Sequence, residues 1–335
     1  MDQPCRLESL VEERDGYLKH CLADSTFRTY ESGLRQYRSF CSWYNLVAFP
    51  LSESTLELFV CSMARRLAFS SIKVYLCSVQ FHATLNGDNT RISDMSHLYY
   101  VLRGIRISIG SSRSRPRRLP ITIRQLNTLV DYIHAHYSFF DALMLHAAVS
   151  LAFFGLLRSA EYTSPSTSRA SANGLCRKDI SFSNNILMVH IRGSKTDPFK
   201  NGITIRIGPN FSKVCPVLAM SRFLSVSSSP NGPVFRFADG TFLTRSFLSS
   251  LLSSCFPETS INTHSFRIGG ASTAASVGIP DSIIQTLGRW ASNAYRRYVQ
   301  FSDDSIADFS RRMSSSIALN RIWDSNWLIS KRSNP

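Results

Sequence analysis

The chain is 335 residues long, 44% hydrophobic and 18% charged, which excludes an intrinsically disordered chain and leaves room for two domains with their own cores. Lys and Arg number 38 against 23 Asp and Glu, a net charge of +15. That balance points to a polyanionic partner.

Eight cysteines stand at positions 5, 21, 41, 61, 77, 176, 215 and 255. None forms Cys-x-x-Cys and no His pair completes a zinc pattern, so they read as buried free thiols of a reducing compartment. Met1-Asp2-Gln3-Pro4 opens without a basic stretch and an apolar run behind it, so no signal peptide is expected. The longest apolar run, Leu143 to Leu157, falls short of the about 20 residues that span a bilayer. It reads as a buried helix.

The first third is expected to be helical. Ser25 or Thr26 can cap a helix with Phe27, Tyr30, Leu34, Tyr37, Phe40 and Cys41 at spacings of three and four. Ser52 or Ser54 can cap a second, with Leu56, Phe59, Val60 and Met63 on one face. Ser70-Ser71 opens a third, through Ile72, Tyr75, Leu76, Val79 and His82. A short fourth covers His97 to Ile107. A basic linker follows, residues 110–120, in which Arg113, Arg115, Arg117 and Arg118 alternate with Ser, Gly and Pro. Such a composition is extended. A solvated tether is the plain reading; a strand with its arginines on DNA phosphates is favoured, because the segment joins two candidate DNA-binding halves, and a nuclear-targeting stretch is a weaker third.

A second domain, 121–335, opens with a helix through Leu126, Leu129, Val130 and Ile133 and continues into the apolar helix, expected to end at Leu157. Strands follow a Ser-rich loop. Ile180 to Phe182 leads to a turn at Asn184-Asn185, and Leu187, Val189 and Ile191 alternate, as do Ile203, Ile205 and Ile207. Lys195 falls between those two strands. Helices resume from Val217, around Phe247, after Arg267 and over Ile279 to Leu287. The fold class is thus mainly α with a small antiparallel β-sheet.

Two clusters carry chemistry. Gly155-Leu156-Leu157-Arg158-Ser159-Ala160-Glu161 closes the apolar run. A guanidinium after so apolar a stretch needs a partner, and Glu161, one helical turn on, can hold it. Downstream come His264-Ser265-Phe266-Arg267, Leu287-Gly288-Arg289-Trp290, Tyr295 and Tyr298. Trp290 lies 23 residues past Arg267 and Tyr298 eight past Trp290. Together these stretches resemble the two active-site boxes of tyrosine recombinases, the phage-integrase family. The first departs from that family's Gly-Leu-Arg-x-Ser-Glu by an extra Leu before the arginine and by Ser-Ala. Ser194-Lys195-Thr196-Asp197 lies where the family keeps its lysine, in a β-hairpin turn. The wording Gly-Arg-Trp-x-Ser-x-Ala-Tyr-x-x-Tyr is most similar to recombinases of eukaryotic mobile elements, the DIRS-like and Crypton-like branches.

The resemblance implies roles. Arg158 and Arg267 would clamp a scissile phosphate with planar forks, Glu161 supporting Arg158. A salt-bridged surface arginine is the commoner fate of that side chain. His264 would donate a hydrogen bond to the phosphate or move a proton; by itself it reads rather as a helix-start histidine capped by Thr263. Trp290, in the place of a frequent His, would donate from its indole N–H, and a core tryptophan fits the same position. Lys195 would be the general acid, with Lys200 its nearest competitor and an exposed hairpin lysine the plain alternative. Tyr298 would be the nucleophile and Tyr295 a packing residue. A free tyrosine has a pKa near 10, so only about one in a thousand is ionised at neutral pH, and neighbouring cations and a base must assist it.

A helical core-binding domain, 1–109, and a catalytic domain are then expected to form a C-shaped clamp on double-stranded DNA. The reaction implied is site-specific strand breakage and rejoining through a 3′-phosphotyrosyl bond, serving integration or excision of a mobile element. No cofactor, metal or nucleotide is expected, since the protein–DNA bond conserves the energy of the broken one and no P-loop pattern is present. Homo-tetramers on two DNA sites and a nuclear location follow from the same resemblance. The tail, 305–329, carries Ile306, Phe309, Met313, Ile317, Leu319 and Ile322 at partly helical spacing, fit to pack on a neighbouring subunit. Two other readings stay open: a DNA-binding protein that has lost the reaction, and a type IB topoisomerase.

Overall fold

A computed structural model of the chain describes residues 6–109, 118–193, 201–227, 232–301 and 306–308. Arg113, Arg115, Arg117, Lys195, Lys200 and the tail apart from 306–308 therefore lie outside the described residues. The fold is mainly helical with one small antiparallel sheet. It divides into two units, Met1–Pro116 and Arg117–Pro335. Among the described residues no helix is long and apolar enough to cross a membrane.

The first unit contains α1 (Leu7–His20), α2 (Asp24–Trp43), α3 (Glu53–Ala64), α4 (Phe69–Leu85) and α5 (Ser96–Ile109). α2 packs on α4, and α3 on α5. The stripes in the sequence explain the core: Tyr37, Phe40 and Cys41 of α2 meet Leu56, Phe59 and Val60 of α3 and Ile72, Leu76 and Val79 of α4. Phe27, counted on the α2 stripe, is exposed instead. Ser52 caps α3, its hydroxyl accepting from the Thr55 N–H at 3.2 Å. The other two expected serine caps are not used. α2 and α4 start just upstream of them, behind Ala23 and Ala68, with no side-chain cap. α1 adds a helix that periodicity did not announce, because Leu7, Leu10, Val11 and Leu18 all face solvent.

The second unit opens with α6 (Ile123–His136), started by a capping box. Thr122 Oγ1 accepts from the Gln125 N–H, and Gln125 Oε1 accepts from the Thr122 N–H at 2.9 Å. α7 (Phe139–Phe154) runs through the core, with every residue from Ala142 to Phe153 buried. It packs against α6, α9 (Pro216–Val226) and α11 (Ser265–Ser276). α7 ends at Phe154, not at Leu157. Leu156 takes a left-handed backbone, φ 47, and the Leu157 N–H turns back to the Ala152 carbonyl. A bulky residue in that region costs about 1–2 kcal/mol, so something must hold it there. α8 (Ser159–Tyr162) is one turn long.

The sheet runs β1 (Ile180–Ser183), β2 (Ile186–Ile191), β3 (Ile203–Ile207), antiparallel and in that order. Asn184 and Asn185, at φ 50 and 62, make the tight hairpin turn that asparagine tolerates. Val189 faces Ile180 on one side and Ile205 on the other. Lys195 and Lys200 belong to the β2–β3 connection. α10 (Arg245–Cys255), α12 (Asp281–Gly288) and a 3-10 turn, Asn293–Arg297, complete the unit. At Gly269 and Gly270 a Cβ would run into the carbonyls of Ile121 and Phe153. Gly269 thus lets α11 approach the chain at Ile121, just ahead of α6, and Gly270 lets it lie backbone to backbone against the end of α7. There a satellite cluster of Leu156, Ala271, Ile284, Trp290 and Tyr295 forms apart from the main core, and the chemistry-bearing side chains gather on it.

Candidate active site

Glu161, on α8, is buried. Its Oε1 accepts from Arg158 Nη1 at 3.0 Å, and its Oε2 accepts from the Arg158 backbone N–H and from Arg289 Nη2, both at 2.9 Å. The expected Arg158–Glu161 pair is therefore present, with a second arginine on its far side. Arg158 keeps 23% of its side chain exposed against 4% for Arg289.

Arg267 projects from the first turn of α11 and is fully buried. Its Nη1 donates to the Leu156 carbonyl and its Nη2 to the Gly288 carbonyl. Its Nε has no partner among the described residues. The guanidinium carbon lies 4.3 Å over the Trp290 ring and 5.5 Å from the centre of the Tyr298 ring. Such cation–π contacts favour a desolvated guanidinium. Burial, then Arg158 and Arg289, push its pKa below the ordinary arginine range.

His264 sits at the start of α11. Its N–H donates to Asn262 Oδ1 at 2.9 Å, so Asn262 and not Thr263 shapes this helix entry. Its ring is half-buried and 5.2 Å from the Tyr298 ring. Burial first, then Arg118, Arg267, Arg245 and Arg158, lower its pKa to about 4. The imidazole is thus neutral at pH 7, a weak base until an anion beside it offsets the arginines.

Trp290 is buried in the satellite cluster, and its Nε1 has no partner among the described residues. It is at once a packing residue and an unused donor. Its ring lies 4.9 Å from that of Tyr298. Tyr298 follows the 3-10 turn and is half-buried. Ser272 anchors its backbone: the hydroxyl donates to the Tyr298 carbonyl at 3.1 Å and accepts from the Gln300 N–H. Tyr295 differs. It is 3% exposed, and its hydroxyl donates to Asp281 Oδ2 at 2.5 Å. Of the expected residues, the structure therefore brings Arg158, Glu161, His264, Arg267, Trp290 and Tyr298 together. Arg118 adds positive potential at His264, and its carbonyl accepts from the Gln300 amide. Arg289, Asn262 and Ser272 were not singled out from sequence. Arg289 was visible in Leu-Gly-Arg-Trp, but nothing in that string tells that it is buried.

The lowered histidines set a pH dependence for the fold. His146, buried in α7 between His134 and the Lys213 carbonyl, also has a pKa of about 4, mainly through burial. The unfolded chain takes up these protons near the ordinary 6.5, the folded chain only near 4. Stability is therefore fully present above pH 6.5 and falls as pH drops toward 4. Urea midpoints at pH 7 and pH 5 check this. An equal midpoint at both contradicts the burial of neutral imidazoles.

No family model matches this sequence, and no curated protein does. Solved structures do. The XerH site-specific recombinase in a post-cleavage complex with a palindromic difH substrate is 16% identical, with 84% of this chain and 78% of that chain covered and a TM-score of 0.60. A lambda integrase dimer bound to a COC′ core site is 13% identical over 88% of this chain and 77% of that one, with a TM-score of 0.56. The Tn1549 transposon integrase with circular intermediate DNA is 15% identical, covering 78% and 86%, at 0.50. The fold is that of the tyrosine recombinases and integrases.

Proposed function

We propose that the chain cuts and rejoins double-stranded DNA through a covalent tyrosine intermediate. One observation carries this reading: His264, Trp290 and Arg267 converge on the ring of Tyr298, at 5.2, 4.9 and 5.5 Å, with Nε–H donors on the arginine and the tryptophan that have no partner among the described residues. That is an anion site beside a hydroxyl nucleophile, which is what phosphoryl transfer to tyrosine requires. DNA as substrate fits the net charge of +15 and the DNA-bound state of the XerH and lambda integrase neighbours.

In the proposed step, Tyr298 Oη bonds to phosphorus as the bond from phosphorus to the 5′ oxygen breaks. His264, neutral at pH 7, takes the phenolic proton. Arg158 and Arg267 hold the non-bridging oxygens, and Trp290 adds an indole donor. Lys195 protonates the leaving 5′ oxygen. The products are a 3′-phosphotyrosyl bond and a 5′ hydroxyl, and attack by a 5′ hydroxyl from either duplex reverses the step. Arg267 is fully buried beneath Trp290 and Tyr298, so phosphate entry requires the Tyr298 ring to swing aside. Arg113, Arg115, Arg117 and Arg118 would lie on the DNA backbone, and four subunits would work on two sites. Integration or excision of a mobile element is the biology this chemistry suits.

The test is a nicked suicide duplex taken from the DNA flanking the gene. The reading expects an SDS-resistant protein–DNA adduct; absence of any adduct while the duplex is bound favours a binder without the reaction. Exchange between two such duplexes separates recombination from relaxation. The role of Lys195 has its own check. Lys195→Ala should lose about 100-fold or more in cleavage rate on ordinary DNA and much less on a 5′-bridging phosphorothiolate, whose sulfur leaves without a proton. Equal losses on both substrates remove Lys195 as the acid and turn attention to Lys200.

A further inference from the structure

Arg289 has a buried guanidinium and no part in the step just described. Its backbone is left-handed, φ 56, where α12 stops. From there Nη1 donates to the Gly155 carbonyl at 3.0 Å and to the Leu287 carbonyl at 3.3 Å, and Nη2 donates to the Leu156 carbonyl at 3.1 Å and to Glu161 Oε2 at 2.9 Å. One side chain thus fastens the end of α12 to the turn that precedes Arg158 and to the carboxylate that holds Arg158. The left-handed Leu156 is fixed by its carbonyl, which accepts from both Arg267 and Arg289.

The way Glu161 is shared matters for Arg158. A carboxylate facing one arginine takes it as a bidentate fork, and two guanidinium nitrogens are then spent on the pair. Here Arg289 occupies Oε2, together with the Arg158 backbone N–H, and Arg158 reaches the carboxylate through Nη1 alone. Among the described residues the other guanidinium nitrogens of Arg158 have no hydrogen-bond partner, and its side chain keeps 23% of its surface exposed. Arg289 also supplies a second cation to a carboxylate buried to 3% exposure, whose charge would otherwise fall on Arg158 undivided.

We propose that Arg289 is a positioning residue: by sharing Oε2 of Glu161 it keeps the Arg158 guanidinium singly bonded and turned toward the scissile phosphate, without touching DNA itself. This rests on the phosphotyrosyl reading above. Removing Arg289 lets Glu161 close on Arg158 as a fork and withdraw its charge from the phosphate.

Arg289→Met and Arg289→Lys test this against wild type on two versions of the same nicked duplex, one with the natural scissile phosphate and one with an uncharged methylphosphonate there. A neutral centre has no ionic oxygen pair for Arg158 to hold, so it depends less on the clamp. Arg289→Met is expected to lose about 100-fold in single-turnover cleavage on the phosphate, and about tenfold or less on the methylphosphonate, relative to wild type on each. Duplex affinity should stay within about threefold, since a side chain only 4% exposed is out of reach of DNA phosphates. Arg289→Lys, which can still meet Glu161 but not all three carbonyls, should fall between Met and wild type. A merely structural role predicts equal losses on both substrates, and that result, or undiminished cleavage by Arg289→Met, overturns the proposal. If Arg289→Met does not fold, as judged by its thermal transition, the same comparison is read on Arg289→Lys. If wild type forms no adduct on either duplex, the phosphotyrosyl reading itself fails and the role of Arg289 goes with it.

Discussion

Tyr298→Phe should bind duplex DNA as wild type does and form no covalent adduct, whereas Tyr295→Phe should still form one. The two hydroxyls stand in different chemistry. Tyr298 packs its ring against His264, Trp290 and Arg267, so in the proposed reading a neutral imidazole and a buried guanidinium flank the attacking residue. Tyr295 is buried and donates to Asp281, with Arg296 Nε donating to its oxygen at 3.3 Å. A carboxylate-bound phenol packed in an apolar cluster is a structural element. Removing its hydroxyl takes that donor from Asp281, which is exposed and can turn to water, and should cost roughly 0.5–1.5 kcal/mol of stability, measurable as a lowered urea midpoint, while the adduct persists. Gel assays of binding and adduct formation on both variants separate the two roles. An adduct from Tyr298→Phe would transfer the nucleophile to another residue.

Arg267→Lys is expected to have the second-largest effect, although the charge is kept. The guanidinium spends two donors on the Leu156 and Gly288 carbonyls and lies on the Trp290 face, while its Nε has no partner among the described residues. A compact ammonium with three donors cannot span two carbonyls and also reach a phosphate oxygen. Loss of a preorganised donor at a developing oxyanion costs about 10²–10³ in rate. Each buried carbonyl left without a donor costs about 1–3 kcal/mol of stability. Single-turnover cleavage should therefore fall at least about 100-fold with a lowered thermal midpoint, while duplex affinity, which depends on many phosphate contacts, changes little. A lysine variant that cleaves at the wild-type rate contradicts the phosphate-clamp role of Arg267.

The parts of this site that are chemistry were legible as strings. His264-x-x-Arg267, Trp290 and Tyr298 keep their spacing because one helix and one turn must deliver them to one place, and Arg158 with Glu161 repeats that logic on one helical turn. The parts that are backbone were not. Leu156 and Leu157 look like more of the α7 helix, yet Leu156 is left-handed, and what holds it there is a pair of carbonyl bonds from residues more than a hundred positions away. Arg289 escaped for the same reason: its partners are carbonyls and a distant carboxylate, which leave no local pattern. Elsewhere, α2 was readable because Leu34, Tyr37, Phe40 and Cys41 face a core, while α1 was not, because its apolar residues face solvent. Asn184-Asn185 announced its turn because asparagine tolerates a left-handed backbone.

The central claim is that the Tyr298 hydroxyl attacks a DNA phosphate. It is tested most directly by digesting the adduct formed on the suicide duplex and mapping the nucleotide-bearing peptide by mass spectrometry. A phosphodiester mass on Tyr298, with Tyr295 unmodified in the same peptide, is the predicted result. A phosphotyrosine at Tyr295, or a nucleotide attached to any residue other than Tyr298, would contradict it.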